Sequence, residues 1–283
     1  MKIQTVGVAG AGIMGQGITT TILLSGYNVI LYDINNETLE SGKQLITGYI
    51  NKSQQLGKIS AELAQNALSN LITTTTLTEL VGELIIEAAP ESLAIKQEIF
   101  KTVESVNSTE TIFATNTSSL SVSQIGSCLI NQKRFLGLHF FNPAPLMKLV
   151  EIVRSLATTP ETVQIVRNFT ESLQKQTVIA ADTPGFIVNR IARFYYLESL
   201  RILEEQVANV ETIDKLFEGT NFRMGPFRLM DLIGIDTNHE VTKSIYRGFF
   251  DEPRFRPSRI QQTLVNAGKF GKKTRSGFYE YPD

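Results

Sequence analysis

The chain has 283 residues, of which 42% are hydrophobic and 19% are charged, a composition that can build a sizeable core and excludes a disordered protein. Its formal net charge of −1 gives no global attraction to nucleic acid or to an anionic membrane, so neither is expected as a partner. The length exceeds that of a usual single domain and favours one large and one smaller domain.

The sequence has few features of a membrane, secreted or metal-binding protein. It has no run of about 18 uncharged apolar residues and does not begin with the pattern of a signal peptide, so we expect a cytoplasmic protein without a membrane span. Cys128 is the single cysteine, and only two histidines are present. An internal disulfide is therefore excluded, and no metal site is expected.

Short strand-like segments alternate with helical patterns over residues 1–183. Ser60 is a suitable N-cap within residues 37–70, which predicts a pair of helices there, and a further helix is predicted over 91–106. The alternation favours right-handed βαβ units and a doubly wound, mostly parallel sheet. The predicted strands are TVGVAG, NVILYD, ELIIEAA, TIFATN, RFLGLHFF, KLVEIVRS and TVIAAD.

The pattern changes after Pro184. Strand signals largely stop, and Ile187, Ile191 and Phe194 recur at helical spacing. We therefore expect an α/β domain over residues 1–183, followed by a mainly α-helical domain over residues 184–283.

A glycine-rich turn follows the first predicted strand. Gly10, Gly12 and Gly15 form a GxGxxG pattern that opens a helix, and Asp33 closes the next strand. These glycines would permit a tight turn, the approach of a pyrophosphate and close packing of the helix on the sheet. Asp33 would accept hydrogen bonds from ribose hydroxyls and repel a 2′-phosphate, and residues 34–36 contain no Arg. The pattern predicts a Rossmann-type domain that binds NAD and disfavours NADP; an ordinary glycine turn is the alternative.

His139 is the candidate proton-transfer group. It lies in GLHFFNP, and imidazole is the side chain best suited to exchange a proton with a hydroxyl near neutral pH. Glu151, in the strand-like run KLVEIV, could orient the ring and stabilise its positive charge. A satisfied core histidine and a glutamate exposed on an edge strand are the structural alternatives. Phe140 and Phe141 are expected to form an apolar wall around the imidazole.

Two polar side chains lie where they could meet a ligand. Ser118 follows the predicted strand TIFAT, and ligands of open α/β folds bind at the carboxyl ends of the strands. A turn or N-cap serine is the alternative, although Ser121 is the better cap for the following helix. Asn189 lies in the first turns of the helix that starts the second domain, where it could face a cleft; alone it is an ordinary residue.

The chain resembles the short, single-function L-3-hydroxyacyl-CoA dehydrogenases of the bacterial 3-hydroxybutyryl-CoA dehydrogenase type. The resemblance implies an N-terminal NAD-binding domain and a helical C-terminal domain that dimerises, with the active site between them. It also implies an acyl-CoA substrate, covered by an arm at 37–70. The matching segments, in order, are GAGIMGQG, IIEAAPE, ATNTSSL, RFLGLHFFNPAPLMKLVE, DTPGFIVNR, MGPFRLMDLIGID, EPRFRPS and FGKKTRSGFYEY.

The resemblance implies a role for each matching residue. His139 would take the proton of the 3-hydroxyl while Glu151 orients it, and Ser118 and Asn189 would bond the reacting oxygen or the thioester carbonyl. Glu87 is a rival to Glu91 at the cofactor, because both carboxylates lie near one turn. The implied cofactor-binding set is Gly10, Ala11, Gly12, Ile13, Met14, Gly15, Asp33, Glu91, Lys96, Asn116, Ser118, Asn142 and Lys273.

Two departures from the family pattern bear on the substrate and the C-terminal turn. Arg275 stands in KTRSGFY where the family commonly has glycine, and the arm contains few lysines. The carrier therefore stays open: an acyl-carrier-protein thioester or a dicarboxylic acyl-CoA are alternatives to a short acyl-CoA. A non-catalytic dinucleotide-binding protein is a further alternative, but it would not need Ser118, His139, Glu151 and Asn189 together.

Overall fold

The structure is a computed structural model that describes residues 2–282. The chain divides into two compact units, and the second begins at Pro184. Among the described residues, no helix is both long enough and apolar enough to cross a membrane.

One sheet organises the first unit. Its strands are β1 Thr5–Ala9, β2 Asn28–Tyr32, β3 Leu71–Thr74, β4 Leu84–Glu87, β5 Ile112–Thr115, β6 Phe135–Phe140, β7 Leu149–Arg154 and β8 Gln176–Ala181. The strand order is β3-β2-β1-β4-β5-β6-β7-β8. Only the β6–β7 pair is antiparallel, and every other neighbouring pair in this sheet is parallel. The predicted doubly wound, mostly parallel sheet is confirmed.

Helices pack on this sheet and cover the apolar strands, as parallel sheets require. Their bounds are α1 Ile13–Leu24, α2 Asn36–Gln55, α3 Ala61–Ser69, α4 Leu93–Val106, α5 Val122–Gly126 and α6 Pro160–Ser172. Side chains at their N-termini fix where several begin: Ser60 accepts from the Leu63 amide at 3.1 Å and Ser121 from the Gln124 amide at 3.2 Å. All residues of β4, β5 and β6 are buried, so these central strands place the site.

The second unit is mainly helical, as predicted. Its helices are α7 Val188–Glu204, α8 Val210–Gly219, α9 Pro226–Ile233, α10 Ile235–Gly248 and α11 Arg259–Asn266. Its core contains Tyr196, Leu197, Leu200, Ile213, Phe227, Met230 and Ile235. The apolar residues that predicted α7 lie on its exposed side, since Ile191 is 66% and Phe194 43% exposed. The spacing therefore predicted the helix correctly but not which of its faces is buried.

Candidate active site

The glycine turn between β1 and α1 excludes larger residues at Gly10 and Gly15. Gly10 has φ +110°, and a Cβ there would lie 2.6 Å from the Ala88 carbonyl oxygen. A Cβ at Gly15 would lie 1.7 Å from the Gly10 carbonyl oxygen, while Gly12 has open space around it. Gly10 and Gly15 thus let the turn close tightly, and Gly12 leaves room for a ligand to approach the backbone.

The start of α1 suits an anion. Gly12 is its N-cap, no side chain bonds the first amides, and no acidic residue lies in the first turn. The positive end of the helix dipole and these amides, including those of Ile13 and Met14, are available to a phosphate group. The residues present therefore fit the pyrophosphate of a dinucleotide.

Asp33 joins the end of β2 to the same turn. Its Oδ2 accepts a hydrogen bond from the Ala11 amide at 2.8 Å, and its Oδ1 accepts one from the Asn35 amide at 3.0 Å. The carboxylate is partly exposed. It is held in place beside the glycine turn and keeps lone pairs for further donors.

His139 and Glu151 form a buried pair. They lie directly opposite each other in the antiparallel β6–β7 register, where paired side chains project from the same face. His139 Nδ1 lies 2.8 Å from Glu151 Oε2, with the two side chains 7% and 0% exposed. Strand β7 has neighbours on both sides, so Glu151 is not an exposed residue of an edge strand.

The expected phenylalanine wall is only half correct. The ring of Phe141 lies 4.5 Å from that of His139, centroid to centroid. Phe140 instead belongs to the hydrophobic core of the first unit with Leu138. Successive residues of a strand point to opposite faces, so Phe140 cannot share the face of His139.

A buried ammonium group joins two carboxylates at the end of β4. Lys96 Nζ lies 2.7 Å from Glu87 Oε1 and 3.2 Å from Glu91 Oε2. Glu87 is fully buried and also accepts from Thr115 Oγ1 at 2.6 Å; burial raises its pKa although Lys96 opposes the shift. Glu91 is 37% exposed. Of the two rivals, Glu91 is thus the carboxylate with access to solvent.

Glu91 also shapes the turn that carries Ser118. Its Oε1 accepts from Thr117 Oγ1 at 2.5 Å, from the Ser118 amide at 3.2 Å and from Ser119 Oγ at 2.9 Å. Burial alone would raise the pKa of Glu91, but Lys96 and these hydroxyls outweigh it, so the pKa is lowered. Ser118 Oγ forms no hydrogen bond within residues 2–282.

Two asparagines lie near the carboxyl ends of β5 and β6. Asn116 Oδ1 accepts a hydrogen bond from the Phe140 amide at 2.8 Å, which links the two strand ends. Asn142 follows β6 and is exposed. The ends of two neighbouring strands therefore carry four of the predicted residues. Asn116 and Ser118 follow β5, His139 lies near the end of β6, and Asn142 follows β6.

The remaining two predicted residues lie in the second unit. Asn189 is the second residue of α7 and is half-buried. Lys273 is 47% exposed and its Nζ lies 2.6 Å from Asp236 Oδ2. Arg275 has φ +60°, in the left-handed region, so the turn keeps a conformation typical of glycine although the side chain is larger.

Three supporting residues cannot be recognised from the sequence. Thr115 and Thr117, which bond Glu87 and Glu91, are in sequence only parts of a strand and a turn. Lys175, flanked by glutamines in LQKQT, is 8% exposed. Only the non-local contacts of these side chains identify them, because their local sequence is typical of a surface.

A Rossmann-type sheet with a glycine turn suited to an anion, and a buried His–Glu pair at the carboxyl end of β6, define the class as dinucleotide-dependent dehydrogenases. Residues 5–183 match the family model "3-hydroxyacyl-CoA dehydrogenase, NAD binding domain" and residues 185–281 match "3-hydroxyacyl-CoA dehydrogenase, C-terminal domain". The chain belongs to the 3-hydroxyacyl-CoA dehydrogenase family, and the resemblance inferred from its motifs is confirmed.

Relatives of known name match nearly the whole chain. It is 46% identical to the 3-hydroxyadipyl-CoA dehydrogenase of Escherichia coli (strain K12), over 99% of this chain and 60% of that protein. It is 37% identical to the 3-hydroxybutyryl-CoA dehydrogenase of Bradyrhizobium diazoefficiens, over 99% of this chain and 96% of that one. The (S)-3-hydroxybutyryl-CoA dehydrogenase of Ralstonia eutropha gives a TM-score of 0.96 at 34% identity, covering 100% of both chains.

Proposed function

We propose that this protein interconverts an (S)-3-hydroxyacyl-CoA and the 3-oxoacyl-CoA with NAD, on a short acyl chain of the 3-hydroxybutyryl type. The observation that carries the proposal is the buried His139–Glu151 pair at the carboxyl end of β6. A dinucleotide sensor would need the glycine turn and Asp33 but no proton relay. The relatives named as 3-hydroxybutyryl-CoA dehydrogenases support the choice of substrate.

In the proposed reaction the protein moves one proton at the 3-hydroxyl oxygen. His139 takes it through Nε2, since its Nδ1 faces Glu151. Glu151 fixes the tautomer with hydrogen on Nδ1 and stabilises the imidazolium. When bound, NAD supplies the acceptor for the hydride of C3. In the reverse direction His139 returns the proton to the 3-oxo oxygen.

The other predicted residues would bind and orient. We assign Ser118 and Asn189 to the reacting oxygen or the thioester carbonyl. The glycine turn would hold the pyrophosphate, and Asp33 the ribose hydroxyls, with charge repulsion disfavouring the 2′-phosphate of NADP. Glu91, Asn116, Asn142 and Lys273 complete the proposed cofactor contacts, and Lys96, whose side chain is 1% exposed, would serve the cofactor by orienting Glu91. A higher kcat/KM with NAD than with NADP would support the role assigned to Asp33.

The variant His139→Gln tests the function. It should bind NAD normally but lose turnover by about 10²–10⁴-fold, the usual cost of removing a general base. Turnover is measured as NADH formation from 3-hydroxybutyryl-CoA, and NADH affinity by fluorescence. His239→Gln is the matched control, because His239 is the other histidine and bonds Gln262 at 2.8 Å in the second unit. Near-normal turnover in folded His139→Gln would overturn the mechanism.

A dicarboxylic acyl-CoA is the second candidate substrate. The relative named 3-hydroxyadipyl-CoA dehydrogenase favours it, being 46% identical; the chain spans about 60% of that protein. These possibilities are separated by measuring kcat/KM for three substrates: 3-hydroxybutyryl-CoA, 3-hydroxyadipyl-CoA and a 3-hydroxybutyryl group bound to a carrier protein. The first two differ in the acyl group, and the first and third differ in the carrier. We further propose a cytoplasmic homodimer that assembles through residues 184–283.

A further inference from the structure

The segment 142–148, between β6 and β7, is held by contacts outside itself. It forms neither helix nor strand, and buried backbone carbonyls require partners. Its own turn satisfies one of them: the Pro143 carbonyl accepts from the Leu146 and Met147 amides, both at 3.0 Å. The Lys148 carbonyl accepts from the Gln176 amide at 2.7 Å. Other carbonyls of the segment are bound by a single side chain.

That side chain is Lys175, the residue before β8. Its Nζ donates to the carbonyl oxygens of Ala144 at 2.6 Å, Met147 at 2.8 Å and Pro145 at 3.5 Å. Lys175 is 8% exposed, and no carboxylate lies within 4.0 Å of it among residues 2–282. Burial lowers its pKa. Burying an ammonium group without a carboxylate partner costs free energy. The hydrogen bonds to the three carbonyl oxygens offset that cost.

The segment also contacts α1. A Cβ at Gly17 would lie 3.2 Å from Ala144 Cβ and 3.3 Å from Pro145 Cδ. Helix α1 and the segment therefore touch directly at Gly17, about half a helical turn after the glycine turn ends at Gly15. The segment, which begins at Asn142, thus contacts both α1 and the Lys175 ammonium group.

We propose that Lys175 is a positioning residue for NAD, which it serves by fixing the segment 142–148 against α1. The proposal rests on the proposed function, in which Asn142 and the start of α1 contact NAD. Lys175 itself touches neither NAD nor the reacting atoms. Its three N–H groups hold three carbonyls at fixed positions, which a neutral side chain of similar length cannot do. Without them the segment would move away from α1 and carry Asn142 with it.

Lys175→Met tests the proposal, because methionine is similar in length and has no donor. We expect the Kd of NADH and the KM for NAD to rise about tenfold, the loss expected for one charge-assisted hydrogen bond, while kcat at saturating NAD falls less than about threefold. The matched control is Lys148→Met, since Lys148 lies in the same segment but is exposed. It should leave both constants unchanged. A purely structural role would lower Tm and leave the Kd of NADH unchanged.

A second variant covers the case in which Lys175→Met does not fold. Gly17→Ala favours the helix but pushes Ala144 and Pro145 from the α1 side, so the Kd of NADH should rise about fivefold, as mild overpacking by one methyl group implies. An unchanged Kd of NADH in folded Lys175→Met, or in Gly17→Ala, overturns the proposal. The Kd is measured without substrate, so failure of the proposed dehydrogenase activity would appear separately, in turnover alone.

Discussion

At the scale of single residues, the chemistry depends on how two strands pair. His139 and Glu151 face each other because β6 and β7 run antiparallel in a register that sets them directly opposite. A shift of one residue would turn Glu151 toward the other face of the sheet. The same alternation sends Phe140 into the core and leaves Phe141 beside the imidazole. The pairing register therefore decides which neighbours the proposed proton-transfer group has.

The variant Glu151→Gln should separate orientation from charge. The amide can still contact the ring but cannot stabilise an imidazolium as a carboxylate does. We expect a lower rate of oxidation and a changed pH profile of that rate, with NADH affinity unaltered. The rate of oxidation is measured for wild type and variant across the pH range in which both stay folded. An identical pH profile would remove Glu151 from the proton relay.

At the scale of elements, two buried carboxylates hold the C-terminal segment to α8 and α9. Asp231 accepts from the Phe278 and Tyr279 amides, both at 3.0 Å, and from Tyr281 Oη at 2.9 Å. Asp214 accepts from Tyr279 Oη at 2.9 Å, and both carboxylates are 1% exposed. Burial raises the pKa of Asp231 and, together with Asp214, that of Tyr279. These hydrogen bonds anchor residues 278–281, which follow Lys273 in the chain.

Tyr279→Phe removes one of these bonds and keeps the ring. Since the acceptor is a buried carboxylate, the free energy of unfolding should fall by about 1.5–3 kcal/mol, measured by urea denaturation. Tyr246→Phe is the control, because the Tyr246 hydroxyl forms no hydrogen bond within residues 2–282; its effect should stay within about 0.5 kcal/mol. Equal stability losses in the two variants would contradict the role of Asp214.

At the scale of the whole molecule, the second unit leaves apolar side chains uncovered. Ile191 and Phe194 project from α7 with 66% and 43% of their surface exposed, and Phe250 is 96% exposed. Scattered exposed apolar residues are ordinary, but neighbours at helical spacing on one helix form a surface suited to a partner. This surface supports the proposed homodimer.

Ile191→Glu should weaken that dimer. In a two-fold interface each substitution occurs twice, and each lost apolar contact costs about 1.5–3 kcal/mol. We expect wild type to sediment at twice the chain mass and the variant to dissociate at micromolar concentration. Ile130→Glu is the control, because Ile130 is 95% exposed in the first unit. A stable dimer in Ile191→Glu would place the interface elsewhere.

The order of elements and the glycine turn could be predicted because their signals are local. Glycine spacing, N-caps such as Ser60, and the alternation of strands and helices depend on residues a few positions apart. The packed face of α7 could not be predicted in the same way. Both of its faces carry apolar residues, and only the surrounding helices determine that Tyr196 and Leu200 are buried.

The sequence by itself therefore determined the fold class, the glycine turn and the residue types of the proposed proton relay. Tertiary structure alone decided that Glu91, and not Glu87, reaches solvent. It also decided that Phe140 packs in the core on the face away from the imidazole, and that Lys175 binds the segment after β6. The physical reason is the range of the interactions. Backbone propensity and periodicity are written in neighbouring residues, whereas buried charges are placed by partners that only strand pairing and packing bring together.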